Sequence, residues 1–309
     1  MNAAIRIDAL TRDFGSIRGV DGLSLEVPQG IIFGFLGPNG SGKTTTINLL
    51  LGLLEPTQGR AEVLGFDTRT HAVEIRSRAG ALLEHAGLYE QLSAEENLEF
   101  YGRVWRLPEA ERRARIEGLL TQLGVWERRK ERVEKWSRGM KQKLAVARAL
   151  IHRPSLVFLD EPTAGLDVVA AAELREDLAS LAARDGVTVF LTTHNMVEAE
   201  RLCDQVGVIR QGKLVAVGHP DELRARTGGA QVEVVGDGFD EKVLGLLRER
   251  PEVATAEVLN SHLSIHLREE TSIAPLVSLM VNAGVEVEEV RKGRASLEDV
   301  FLTLMEEEK

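Results

Sequence analysis

Hydrophobic positions change period several times along this chain. From Ala4 to Leu10, and again from Leu23 to Val27, apolar residues tend to alternate with polar ones, as in strands buried on one face. Ile31-Ile32-Phe33-Gly34-Phe35-Leu36 is apolar throughout, which predicts a strand covered on both faces, and a helical run follows from Thr44 to Leu54. Turn residues Glu55 to Gly59 precede a short strand over Ala61–Gly65, and Gly80 to His85 reads as a buried strand ending in polar residues. The pattern then turns helical. Ser93-Ala94-Glu95-Glu96 matches a capping box, Leu98, Tyr101 and Trp105 share one face, and a second helix spans about Pro108 to Leu123 with Gly124 closing it. This charged insertion, roughly 85–153, interrupts an α/β alternation that resumes with strand Ser155–Leu159, a helix to Ala183 and strand Val187–Leu191. It predicts a helical subdomain set into an α/β core.

After Thr227-Gly228-Gly229-Ala230, a plausible linker, the order becomes β-α-β-β-α-β, the pattern of a small split βαβ domain. A terminal helix begins with a second capping box at Ser296 and carries an apolar stripe of Leu297, Val300, Phe301, Leu304 and Met305. The 309 residues therefore divide into 1–228 and 229–309, each long enough to bury its own core.

Composition narrows the classes. No apolar run approaches the roughly 18 residues that a membrane helix needs, and the N-terminus has no apolar signal core, so a soluble intracellular chain is expected. Cys203 is the single cysteine, which excludes an intrachain disulfide and a Cys-rich metal site. The net charge of −10 is uneven: residues 229–309 hold 17 acidic and 8 basic groups, whereas 103–153 hold 15 Lys and Arg against 6 Asp and Glu. That basic stretch is either a solvated helical surface or a face turned to anionic lipid or an acidic partner. His262 and His266 share a face of an alternating strand and read as solvated rather than as metal ligands.

Candidate chemistry concentrates at strand ends. Gly37-Pro38-Asn39-Gly40-Ser41-Gly42-Lys43-Thr44-Thr45, between a buried strand and a helix, is a phosphate cradle: its glycines let backbone N–H groups converge on an anion at a helix N-terminus. Lys43 suits β- and γ-phosphates, and the Thr44 hydroxyl suits Mg²⁺. A second apolar strand ends in Asp160-Glu161, adjacent carboxylates that are costly to bury unless they hold a cation or hydrogen bonds. Asp160 suits Mg²⁺ together with Thr44, and Glu161 suits a general base or a group that polarises the attacking water. His194 ends a strand expected in the same sheet, near the γ-phosphate. Ser137 and Gly139, at the start of a helix, form either a plain N-cap or a further anion site. Phe14 either packs in the core or stacks on a purine.

These motifs, in this order, resemble the ATP-binding cassette ATPases over residues 4 to about 220. Gly37 to Thr45 is similar to Walker A, Leu156 to Glu161 to Walker B with its glutamate, Ser137 to Gln142 to the signature segment, Gly165-Leu166-Asp167 to the D-loop, His194 to the switch histidine and Phe14 to the aromatic A-loop. Trp136, Arg138 and Met140 stand where the signature usually has Leu, Gly and Gln. Glu84, 41 residues after Lys43, stands where the Q-loop has glutamine. The tail resembles the C-terminal extension of ATPase subunits in daunorubicin-resistance-type drug exporters.

The resemblance implies a P-loop NTPase fold: a RecA-like α/β core with an antiparallel β subdomain and an inserted helical subdomain, followed by a small C-terminal α+β domain. It implies hydrolysis of ATP with Mg²⁺. The expected metal ligands are Thr44, Asp160 and Glu84; Glu161 and His194 are the expected catalytic groups; Phe14, the Walker A residues, Ser137, Gly139 and Asp167 are expected at the nucleotide. Two cassettes, identical or different, would close head to tail on ATP and work a separate transmembrane permease at the inner face of the membrane, its cytoplasmic end against the basic insertion. No nucleic acid partner is expected. The competing readings are a soluble cassette ATPase acting on DNA or ribosomes, and a nucleotide-gated binding module without turnover.

Overall fold

A computed structural model of the chain describes residues 3–227, 231–259, 262–268, 271–293 and 296–306. The first two strands, β1 (Ala3–Phe14) and β2 (Ile17–Pro28), are longer than their alternation suggested and form a hairpin that pairs Phe14 with Ile17. Phe14 thus ends a strand, at the turn of the hairpin. Next come β3 (Ile32–Leu36) and α1 (Lys43–Leu50), which stops short of the expected Leu54 because the chain turns at Gly52, φ 61°. β4 (Gln58–Val63) and β5 (Phe66–Asp67) complete an antiparallel sheet in the order β2-β1-β4-β5. α2 (Ala72–Arg78) was not legible, since Ile75 is the one buried residue among its seven.

β6 (Ala79–Leu82) leads to the helical insertion, with α3 (Ala94–Val104), α4 (Glu109–Gln122) and α5 (Arg138–Leu150). The box predicted at Ser93 is formed in both directions: the Ser93 hydroxyl accepts from Glu96 N and the Glu96 carboxylate accepts from Ser93 N. The core then resumes with β7 (Leu156–Asp160), α6 (Val168–Asp185), β8 (Thr188–Thr193), α7 (Met196–Leu202), β9 (Gln205–Arg210) and β10 (Lys213–Gly218). Its six-stranded sheet runs β10-β9-β3-β8-β7-β6, parallel except for β10. Strands β3 and β8 are buried along their whole length and β7 up to its last residue, as expected when helices cover both faces. Phe33, Phe35 and Phe158 gather around Phe190 with ring centroids 5.4–5.7 Å away. Cys203, just beyond α7, is buried, and burial pushes its thiol pKa up, so it is no nucleophile.

Two compact units divide at Gly218/His219, ahead of the boundary at 228 read from the sequence; Gly228, Gly229 and Ala230 lie outside the described residues. The second unit begins with α8 (Pro220–Thr227), followed by β11 (Gln231–Asp237), α9 (Glu241–Arg248), β12 (Val253–Leu259), β13 (His262–Leu267), α10 (Ala274–Asn282), β14 (Glu286–Gly293) and α11 (Leu297–Glu306). Its antiparallel sheet, β12-β13-β11-β14, has the split βαβ topology, and Val232, Val234, Leu263 and Ile265 meet Leu247, Leu276 and Met280 in one core. The side chains of Leu304 and Met305 lie outside the described residues.

Candidate nucleotide and catalytic site

Adjacency in the parallel sheet assembles the site. β3 lies beside β8, and β8 beside β7, so the loops leaving their C-terminal ends converge: Gly37–Thr45, His194 and Asp160-Glu161. Such a convergence at strand C-termini is where open α/β sheets bind ligands.

The cradle depends on glycine where the chain comes closest to its neighbours. Gly42 has φ 109°, and a Cβ there would fall 2.4 Å from the Gly19 carbonyl oxygen; one on Gly37 would fall 2.3 Å from the Ile209 carbonyl oxygen. No side chain caps α1 and no acidic residue sits in its first turn, so its leading N–H groups and positive end are available to an anion. Lys43, 5% exposed, donates to the Gly37 and Pro38 carbonyls at 2.8 and 3.2 Å and pairs with Glu161 Oε1 at 3.2 Å. Ser41 Oγ is buried in the cradle and has no hydrogen-bond partner among the described residues. An orphaned hydroxyl at a helix N-terminus, beside a buried ammonium, fits a phosphate group.

At the end of β7, Asp160 accepts from the Thr44 hydroxyl at 2.7 Å and from the Thr192 hydroxyl at 2.5 Å. A hydroxyl and a carboxylate in contact are hard oxygen donors of the kind Mg²⁺ takes alongside water and phosphate, so this pair fits the metal. Alternation along a strand would turn Glu161 away from Asp160. Instead Glu161 takes a left-handed backbone, φ 49°, pinned by its N–H donating to Thr192 O and Oγ1 at 3.1 and 3.0 Å. Holding a non-glycine residue there costs on the order of 1–3 kcal/mol. It brings the carboxylate to Lys43 on one side and to His194 Nδ1, 2.9 Å away, on the other.

The remaining expected residues are distributed around this centre. Glu84 is exposed and lines, with Thr44, Asp160, Glu161, Arg138 and Gln142, a cavity of about 310 Å³. Phe14 is 43% exposed with the Arg12 guanidinium 4.8 Å from its ring centroid; a Cβ on Gly19 would meet both the Phe14 ring and Thr45 Cγ2, so the ring borders the cradle helix. Ser137 caps α5, its hydroxyl accepting from Met140 N, and Gly139 packs against Ala170 of α6. Neither belongs to the Thr44–Asp160 group of contacts within the chain. Asp167 caps α6 through Ala170 N. Pro38, Asn39 and Gly40 form the exposed rim of the cradle. Three residues that organise the centre carry no site role in the sequence reading, although Arg138 is noted there as a departure in the signature segment. Thr192 ties Asp160 to Glu161, the Arg138 guanidinium donates to Ala164 O at 2.9 Å and lies against Gly165, and Glu198 is fully buried, accepting from the hydroxyl of Thr193, the residue before His194. The Asn195-x-x-Glu198 spacing, a helix-start signal, was the available clue to the last.

The family profile described as "ABC transporter" matches residues 20–164, and the one described as "ATP-binding protein DrrA1-3-like, C-terminal domain" matches 218–305. Among similar proteins, the daunorubicin resistance ATP-binding protein DrrA3 of Streptomyces coeruleorubidus is 36% identical over 98% of this chain and 96% of its own. This chain belongs to the ABC transporter ATP-binding family. The bacitracin transport ATP-binding protein BcrA of Bacillus licheniformis is likewise 36% identical, over 99% of this chain and 98% of its own. Among solved structures, cbiO1 of Clostridium perfringens, part of the ABC transporter complex cbiONQ, aligns with TM-score 0.68 and 26% identity over 73% of this chain and 92% of its own. The fold is accordingly a P-loop NTPase cassette with an α+β tail, and the chemistry is ATP hydrolysis.

Proposed function

We propose that this chain is the ATP-hydrolysing subunit of an exporter whose membrane-spanning part is a separate permease, with Mg²⁺ as cofactor and a second cassette completing each site. The observation that carries the reading is the Lys43–Glu161–His194 arrangement beside the Thr44–Asp160 pair, in a chain similar along nearly its whole length to drug-export ATP-binding proteins. Among the described residues no helix is long and apolar enough to cross a membrane.

The ATP phosphates lie in the Gly37–Thr45 cradle, where Lys43 turns its ammonium from Glu161 towards the β- and γ-oxygens. Released from that ion pair, Glu161 orients the attacking water and accepts its proton, while His194 Nδ1 holds the carboxylate in place. Thr44 and Asp160 would hold Mg²⁺, which when bound would supply positive charge to the phosphates. Phe14 offers its ring face to adenine. Ser137, exposed at the start of α5, and the half-buried Gly139 reach the γ-phosphate of the other cassette, so ATP joins the two halves and its hydrolysis parts them.

Glu161→Gln keeps the size and hydrogen bonding of the side chain but removes the proton acceptor. ATP should still bind, with turnover lower by on the order of a hundredfold and an ATP-stabilised dimer visible by size-exclusion chromatography. Parental turnover would overturn the role of Glu161. Affinity capture of the full chain from detergent-solubilised cells should retain an integral membrane protein; capture of ribosomes or DNA instead would overturn the exporter assignment.

A further inference from the structure

We propose that Glu198 is a positioning residue, which sets the Glu161–His194 pair by joining the loop after β7 to the loop after β8. The inference rests on the roles proposed for Glu161 and His194. Glu198 is fully buried on α7, and no Lys, Arg or His pairs with it among the described residues. A carboxyl group in that situation is costly unless hydroxyls or N–H groups satisfy it. Here hydroxyls do so. Thr163 Oγ1 donates to both of its oxygens, at 2.8 and 2.9 Å, and Thr193 Oγ1 donates to Oε2 at 2.7 Å.

These two donors lie between the catalytic pair in sequence, each close to one member of it. Thr163 is two residues after Glu161, in the loop that runs on to Gly165 and Asp167, and Thr193 immediately precedes His194. The Thr193 hydroxyl also accepts from Asn195 N at 3.0 Å, and Asn195 Oδ1 accepts from Glu198 N at 3.1 Å, so α7 is locked to the histidine loop at both ends of this short circuit. Glu161 reaches His194 at 2.9 Å from a left-handed backbone that needs support. Its own N–H is held by Thr192, one residue before Thr193. A single buried carboxyl therefore ties down both loops, two positions after Glu161 and one position before His194, without entering the cavity of about 470 Å³ that Glu161, Thr163, Thr193 and His194 line. Among the described residues Glu198 and its partners Thr163, Thr193 and Asn195 make no hydrogen bond to the cradle, so the circuit acts on the geometry of hydrolysis and not on the capture of ATP.

Glu198→Ala removes the common acceptor, Glu198→Gln retains one acceptor and adds an amide donor that a rotated threonine hydroxyl accepts, and Thr163→Val and Thr163→Ser test the link from the other side. Misplacing a reacting group by about 1 Å can cost on the order of a hundredfold. We expect kcat in Glu198→Ala and Thr163→Val to fall by roughly ten- to a hundredfold while the Kd for ATP, read by nucleotide titration, stays within about twofold. Glu198→Gln and Thr163→Ser should recover most of the rate. Parental kcat in Thr163→Val, or a parallel loss of ATP affinity and kcat in the folded variants, would overturn the proposal, and the threonine pair keeps the test in force should Glu198→Ala fail to fold. Glu161→Gln is measured alongside. Loss of turnover there with none in the Thr163 and Glu198 variants sinks this inference alone, whereas parental turnover in Glu161→Gln sinks the catalytic reading beneath it.

Discussion

Lys43 directs its buried ammonium at two cradle carbonyls and at Glu161, a position from which it exchanges a carboxylate for phosphate oxygens with little movement. Lys43→Ala should abolish ATP binding in a nucleotide titration, because no other Lys or Arg among the described residues pairs with the groups of the cradle; an unchanged Kd would remove the cradle from the nucleotide site. Glu84 is a subtler case. It shares the cavity of Thr44 and Asp160, and an added negative charge there should favour the metal-bound state. Glu84→Gln is therefore expected to raise the Mg²⁺ concentration giving half-maximal ATPase, and an identical Mg²⁺ titration would place Glu84 outside the metal's surroundings. Much of this centre was legible because its signals are local: Gly42-Lys43-Thr44 and Asp160-Glu161 each declare their chemistry within a few positions. Glu198 was not, since its meaning lies in Thr163, 35 residues away, and only folding reveals that contact. The left-handed turn at Glu161 was equally hidden, because nothing in a glutamate signals a positive φ.

Elements with a strong apolar run or a side-chain cap were readable; those stabilised by distant packing were not. β3, β7 and β8 announced themselves by unbroken apolar sequence, and α3 by Ser93 and Glu96, whereas α2 offers a single buried side chain and α1 lost its last expected turn. Where α3, α4 and α5 meet the core, a polar contact leads to a measurable consequence. His152, after α5, stacks on Trp105 with ring centroids 3.9 Å apart and approaches Ala79 O through Nε2 at 3.2 Å. Burial, with Arg115 and Arg148 adding to it, lowers its pKa from 6.5 to about 4. The unfolded chain therefore binds a proton that the folded chain refuses between those values. Stability from this residue is complete above about pH 6.5, falls as the pH drops and is lost by about pH 4, on the order of 2 kcal/mol in all. In thermal melts, His152→Phe, which keeps an aromatic ring against Trp105, should show a smaller fall in Tm than the parent between pH 6.5 and 4. Parallel curves would show that His152 is protonated in the folded protein.

At the scale of the whole molecule, every group given a role in hydrolysis lies before residue 199, and the second unit has a core of its own. Where the chain is cut decides what such a separation tests. The Gly-Gly stretch at 228–229 looked like the seam because glycine permits a linker, yet the second unit begins at His219, and α8 packs against α11 through a contact that no local pattern discloses. Leu223 on α8 is 2% exposed, and Leu297 and Val300 on α11 are 1% exposed. A chain ending at Gly228 keeps α8 but loses the helix that covers it, exposing an apolar side chain worth about 1.5–3 kcal/mol of burial. A chain ending at Gly218 carries no such defect. Residues 1–218 should therefore fold, bind ATP with the parental Kd and melt in a single transition, while residues 1–228 should be less soluble at equal concentration. Residues 219–309 alone should give a cooperative melt of their own, because the β11–β14 sheet buries Val232, Val234, Leu263 and Ile265 against α9 and α10 in one core. Dimerisation and transport in the 1–218 form then measure what the second unit adds to the working assembly. A well-folded 1–218 form that fails to bind ATP would mean that the tail contributes to the nucleotide site, and the separation of the chain into a hydrolytic unit and an accessory one would fall.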